Sequence, residues 1–339
     1  MADKPLATGK LPMELLQQLL ACCTTTDPRV LVGARVGEDA AVIDMGDRLL
    51  VAKSDPITFA SDRIGWYAAH VNANDIATRG AAPRWMLATL LMPEGTATFA
   101  MAQEVMAQMA AACRGLGVSL VGGHTEVTYG LARPLLVGHM LGEVARERLV
   151  TTGGAQVGDA VLLAGGVAAE GAAILARELG DAARARGVSE ATLAEARGYL
   201  DDPGISVVRP ALLAAATVRV HAMHDPTEGG LATGLHELAW ASGTGLRVDG
   251  DAIPVLPACA RLCAAFGLEP LGLIASGALV AAVAPQDVAA VGAAWSREGI
   301  AWARIAEVRP AAEGVCLLRQ GRVEPLPRYD RDEIARAFS

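Results

Sequence analysis

No apolar run in this sequence reaches the length that spans a bilayer, although 52% of its residues are hydrophobic and its mean hydropathy is +0.33. Alanine and glycine supply much of that value, so a soluble chain without a membrane partner is expected. The opening residues, Met1 to Lys10, carry charges and a proline but no apolar h-region, which argues against a secretory signal and for a cytoplasmic location. There is no disulfide framework either. The six cysteines, Cys22, Cys23, Cys113, Cys259, Cys263 and Cys316, follow no repeating pattern, and free thiols are expected. Cys259 and Cys263 fall i,i+4 on a predicted helix with no second Cys or His pair to complete a zinc site. A basic excess is also missing: the net charge of −8 and pI near 5.3 exclude a broad nucleic-acid face. Finally, neither a G-x-x-x-x-G-K-[ST] loop nor a G-x-G-x-x-G fingerprint after a strand occurs, which removes the two common phosphate cradles.

What the chain has is room for two cores. Its 339 residues suit two domains, placed here at residues 1–152 and 153–339. In the first, the patterns predict a helix over Leu11–Cys22 and strands over Ala40–Asp44 and Arg48–Ala52, joined by a Met45-Gly46-Asp47 hairpin. A helix from Ser61 to Gly80, a strand from Pro83 to Met92 and a helix from Thr96 to Gly115 follow. A strand from Val118 to Val121 then ends in a Gly122-Gly123-His124-Thr125-Glu126 turn, before a last strand from Leu135 to Val144. In the second half, strands are predicted at Ala160–Ala164, Val220–Met223, Leu246–Val248, Leu279–Val283 and Val315–Arg319. Helices are predicted near Ala168–Leu179, Asp181–Tyr199, Pro210–Val218, Gly230–Trp240 and Val288–Glu298. This order is that of an α+β protein.

The helix ending at Gly80 is the most informative stretch. It is rich in Ala, Ile, Val, Trp and Tyr, yet carries Asn72, Asp75 and Arg79 on one face. A carboxylate there needs a metal, a cation or water. Either a bound metal or an i,i+4 pair between Asp75 and Arg79 on a wet face satisfies it. Further acidic turns carry Asp39, Asp55 and Asp225, the oxygen donors that Mg²⁺ prefers. His224-Asp225-Pro226-Thr227-Glu228-Gly229-Gly230 lies between a strand and a helix, where free N–H groups can receive an anion or Asp225 and Thr227 can simply cap the first turn. Lys53 offers a counter-charge to phosphate or to Asp55, and His124 either binds phosphate or serves as a hydrogen-bonded turn residue.

Gly37-Glu38-Asp39-Ala40-Ala41, Ser54-Asp55, Val71 to Ala77 with Gly80-Ala81 and Pro83, Gly122 to Thr125, Asp225 to Gly230, and Leu273 to Gly277 stand in a recognisable order. Together they resemble the aminoimidazole ribonucleotide (AIR) synthetase superfamily, which includes thiamine-monophosphate kinase, selenophosphate synthetase and the HypE-type hydrogenase maturation factors; the last two segments look most like HypE. The resemblance implies a two-domain PurM-like fold, with N-terminal domains contributing strands to a barrel across a homodimer axis and a C-terminal α/β domain. It further implies an enzyme that binds ATP and Mg²⁺ and acts on an unidentified small substrate by phosphoryl transfer. Carried over by position, Asp39, Asp55, Asp75 and Asp225 would hold metal and Asn72 would support Asp75. Lys53 and the Gly122, Gly123, Thr125, Thr227, Gly229 and Gly230 positions would face phosphates, and Asp75, His124 and Asp225 would be catalytic. Thiamine-monophosphate kinase or AIR synthetase activity is one alternative, and a nucleotide-responsive dimer without turnover another. Two departures stand out. Such relatives place an aspartate where this chain has His124, with Glu126 the next carboxylate. HypE also relies on a cysteine at the chain end, whereas this sequence ends Arg336-Ala337-Phe338-Ser339, so HypE's own reaction is not expected.

Overall fold

The computed structural model describes residue 6 and residues 10–58 and 62–338, so Ser61, most of the opening ten residues and Ser339 lie outside the described residues. Up to residue 144 the chain forms α1 (Met13–Leu20), β1 (Val30–Val32), β2 (Ala41–Asp44), β3 (Leu49–Ile57), α2 (Ile64–Thr78), β4 (Ala82–Pro93), α3 (Phe99–Leu116), β5 (Ser119–Thr128) and β6 (Leu135–Val144). From there it forms β7 (Ala160–Ala164), α4 (Ala169–Glu178), α5 (Gly180–Ala185), α6 (Glu190–Gly198), α7 (Val208–Thr217), β8 (Ala222–His224), α8 (Gly230–Ser242) and β9 (Gly245–Asp249). The last elements are α9 (Pro257–Phe266), β10 (Leu279–Val283), α10 (Val288–Arg297), β11 (Trp302–Arg309), β12 (Val315–Arg319), β13 (Arg322–Pro325) and α11 (Ile334–Ala337). Two compact units result. One joins Thr25–Gly33 to Asp39–Leu149; the other joins the described residues up to Thr24 and Ala34–Glu38 to the chain from Val150 onward. The segment containing α1 therefore clusters with the C-terminal half, although it precedes the N-terminal unit in sequence.

The N-terminal unit is built on a sheet of order β1-β2-β3-β6-β4-β5. Its pairings are antiparallel except β4 with β5, whose parallel register is reached through α3. Helix α2 is buried almost all round, and Tyr67, Ala73, Ile76 and Ala77 join Leu49, Val51, Met86, Leu90, Leu136 and Met140 in its core. β3 runs past the predicted end at Ala52, pairing with β6 as far as Ile57↔Leu136, so Lys53 and Asp55 stand on a strand. The Gly122–Thr125 turn is overturned as well: those residues continue β5, with Ala88↔Gly123 and Thr89↔His124 in register. Gly123 serves close pairing here, since a Cβ at residue 123 would strike the Ala88 carbonyl.

The C-terminal unit holds a sheet of order β13-β12-β9-β11-β7-β10-β8, antiparallel apart from β12 with β9. Its centre is dry, with β7 and β10 buried along their whole length and Trp295 packed into the core. β11 is absent from the sequence prediction because a register shift between Arg304 and Ala306 breaks its alternation, leaving Ile305 and Ala306 both buried.

Candidate functional site

In the N-terminal unit three of the predicted carboxylates gather around two cations near the C-terminal half of α2. Arg79, at 0% exposure, donates from Nη2 to Asp39 Oδ2 at 3.1 Å. Lys53 Nζ, arriving from β3, lies 3.2 Å from Asp75 Oδ2 and 4.0 Å from Asp55 Oδ2. Asp75 is itself 4% exposed, so the wet-face pair considered from sequence is not the environment found. Charges this dry persist because partners meet them. Asn72 does something other than hold the Asp75 carboxylate. Its Nδ2 donates to the backbone carbonyls of Asp55, at 3.3 Å, and Ala68, at 2.9 Å, pinning α2 to β3. Its buried Oδ1 has no hydrogen-bond partner. Asp55 and Asp75, which share Lys53, and the orphaned amide oxygen of Asn72 are hard oxygen donors of the kind that Mg²⁺ takes.

His124 is exposed on edge strand β5, where its Nε2 lies 2.9 Å from Glu126 Oε2 two residues along the same face. Gly122, Gly123 and Thr125 belong to the same strand, so a sheet edge stands where a turn was expected.

The C-terminal unit places Asp225, Thr227, Gly229 and Gly230 between β8 and α8. Gly229 has φ +77°, a left-handed conformation that starts the helix, and a Cβ there would collide with Thr233 and the Tyr329 carbonyl. The Gly230 amide bonds Thr227 O at 3.0 Å. Buried His224 meets Glu237 Oε2 through Nε2 at 2.8 Å. Lys10 reaches the turn from the segment before α1: its Nζ donates to Thr227 Oγ1 at 2.9 Å, with Glu228 and Glu237 at 3.6 and 3.8 Å. Glu38, of the Gly37-Glu38-Asp39 motif, accepts from the amides of Thr152 and Gly153, both at 3.2 Å.

Two carboxyls that sequence reasoning missed lie behind this turn. Glu170, in the first turn of α4, is 5% exposed and its Oε2 has no hydrogen-bond partner. Burial pushes its carboxyl up to about 7 against a hydrogen bond from Ser276, and the nearby charges of Glu228 and Asp332 push the same way. Asp332 is raised to about 6, chiefly by burial, with backbone amides pulling back. An acidic residue in the first turn of an apolar helix is a weak signal for Glu170; Asp332 lies in a charge-rich stretch that reads as solvated.

Comparison with known families bears on both halves. Residues 37–144 match the N-terminal domain of the AIR synthase related proteins, and residues 156–318 match the C-terminal domain. This chain belongs to the AIR synthase related family. It is 32% identical to carbamoyl dehydratase HypE of Cupriavidus necator over 85% of this chain and 79% of that protein. Among solved structures, hydrogenase maturation protein HypE in complex with ATP matches with TM-score 0.71 at 26% identity, over 92% of each chain. A HypE–HypF complex shares the fold at 22% identity and TM-score 0.73, over 92% of this chain and 99% of that one. The two-domain PurM-like architecture expected of this family is thus present, with mixed helix and strand in both units. No helix among the described residues is long and apolar enough to cross a membrane.

Proposed function

We propose that this AIR synthase related protein is an ATP-using, Mg²⁺-dependent enzyme that transfers the terminal phosphoryl group of ATP to an oxygen of a small substrate. The observation that supports it is the carboxylates standing in family order, with Asp39 on Arg79, and with Asp55 and buried Asp75 sharing Lys53. Asp39, Asp55 and Asp75 would hold the metal, which supplies charge compensation on phosphate oxygens when bound. Lys53 is a ready counter-charge for the same oxygens. The Thr227 hydroxyl would meet a phosphate once Lys10 shifts from it. In the reaction the bond from the terminal phosphorus to the ADP oxygen breaks and one to the substrate oxygen forms, the substrate's proton leaving to solvent.

The test is ADP release from ATP in the presence of a panel of small hydroxyl-, carboxylate- and amide-bearing metabolites, thiamine monophosphate among them. ADP formation that requires both one panel member and Mg²⁺, and stops on adding EDTA, is the expected result. Tight ATP binding without ADP across the panel would instead establish a nucleotide-responsive protein.

We also propose a homodimer paired through β5. That strand is a sheet edge whose unpaired side exposes Val121 and Val127, with Tyr129 just beyond, a surface that isolated monomers protect. Light scattering should give twice the monomer mass, and Val127→Lys should give the monomer. A monomeric wild-type protein rejects this pairing.

A further inference from the structure

The family match ends at residue 318, yet the chain past β13 folds back over the turn that opens α8. His236 Nε2 lies 3.0 Å from Leu326 O, and the Tyr329 backbone N–H donates to Thr233 Oγ1 at 3.3 Å. Arg328 ties this strap to α1 through Glu14 at 2.7 Å. Glu333 donates its amide to Gly272 O at 3.1 Å and accepts from the Glu269 amide at 2.9 Å.

At the centre is Asp332, only 3% exposed. Its Oδ2 accepts from the Gly229 amide at 2.7 Å, while its Oδ1 accepts from the amides of Ile274, at 3.2 Å, and Ile334, at 2.8 Å. One carboxylate therefore joins the Thr227–Gly230 turn to the Leu273–Gly277 turn, which also touch directly where the Ala275 amide donates to Thr227 O at 3.2 Å. Charge-assisted bonds to backbone amides hold a peptide plane more firmly than neutral ones. The glycine at 229 belongs to the same arrangement, because the strap's Tyr329 carbonyl occupies the space a Cβ would need.

We infer that Asp332 is a positioning residue for the phosphate end of the nucleotide: by taking up the Gly229 and Ile274 amides it fixes the peptide planes of the Thr227–Gly230 turn and aims the Thr227 hydroxyl. The Gly229 amide then sets the shape of the turn and is not itself a ligand donor. The nucleotide part of this inference rests on the function proposed above; the clamp does not.

Two measurements test it. Titration of AMP-PNP with Mg²⁺ should show Asp332→Ala binding at least about tenfold more weakly than wild type, with Asp332→Asn intermediate because it keeps one acceptor. Affinity that is unchanged in Asp332→Ala overturns the inference. So does tighter affinity, which would make Asp332 a competitor of phosphate. In nucleotide-free protein, amide exchange at residues 227–231 and 273–276 should quicken in Asp332→Ala while β10 stays protected. Unchanged exchange in those turns overturns the clamp even if wild type binds no nucleotide, the outcome that rejects the proposed function alone. Should Asp332→Ala fail to fold, Asp332→Asn carries both readouts.

Discussion

Asp75→Asn is expected to lower Mg²⁺-dependent ADP formation by about a hundredfold or more, the scale on which a preorganised electrostatic contact acts in a water-poor site. The substitution keeps the shape of the side chain and removes only its charge. Because Asp75 is 4% exposed and faces Lys53 at 3.2 Å, that charge acts with little solvent screening. The same change leaves Lys53 with Asp55 at 4.0 Å as its remaining partner among these carboxylates, so some stability is lost too. Activity and folding are separable by measuring ADP release at a temperature where far-UV circular dichroism shows the variant folded. Turnover within threefold of wild type under those conditions would remove Asp75 from the chemistry, and with it the central support of the phosphoryl-transfer proposal.

How far this was legible in sequence differs from element to element. The stretch Val71 to Pro83 announced itself, because polar residues spaced i, i+3 and i+7 on an otherwise apolar helix have few explanations, and α2 carries them in the core. Which cation meets which carboxylate was not legible. Arg79 bonds Asp39, forty residues away, and Lys53 comes from a strand that pairing with β6 extends past its local signals. At β5 the sequence misled, since Gly-Gly is a turn signal locally and close pairing with β4 overrode it. The strap was the least readable part. Arg328-Tyr329-Asp330-Arg331-Asp332-Glu333 has the charge density of a solvated segment, and only the unpaired amides of two distant turns bring Asp332 into the interior.

Glu170 gives the largest effect expected on stability, and its sign follows from linkage. In the unfolded chain this carboxyl titrates near 4.5; in the folded protein burial raises it to about 7. Below pH 4.5 it is protonated in both states and its favourable contribution is fully present. As pH rises through 7 the folded protein must hold an ionised carboxylate out of water, beside Glu228 and Asp332, and that contribution is lost. At 1.36 kcal/mol per pKa unit the loss between pH 4.5 and pH 8 is roughly 3 kcal/mol. Asp332, raised from 3.8 to about 6, adds a loss of the same sign that is complete at lower pH. Glu170→Gln keeps an acceptor for the Ser276 hydrogen bond and cannot ionise. The variant should therefore unfold at a higher urea concentration than wild type at pH 8 and no higher at pH 4, retaining only the shallower slope owed to Asp332. Exchange protection of the β7 and β10 amides, which lie in the same unit, reports that stability directly. An unaltered pH dependence in Glu170→Gln would mean that Glu170 finds a partner or water in solution, and the buried carboxyl would lose its place in the electrostatics of the α8 turn.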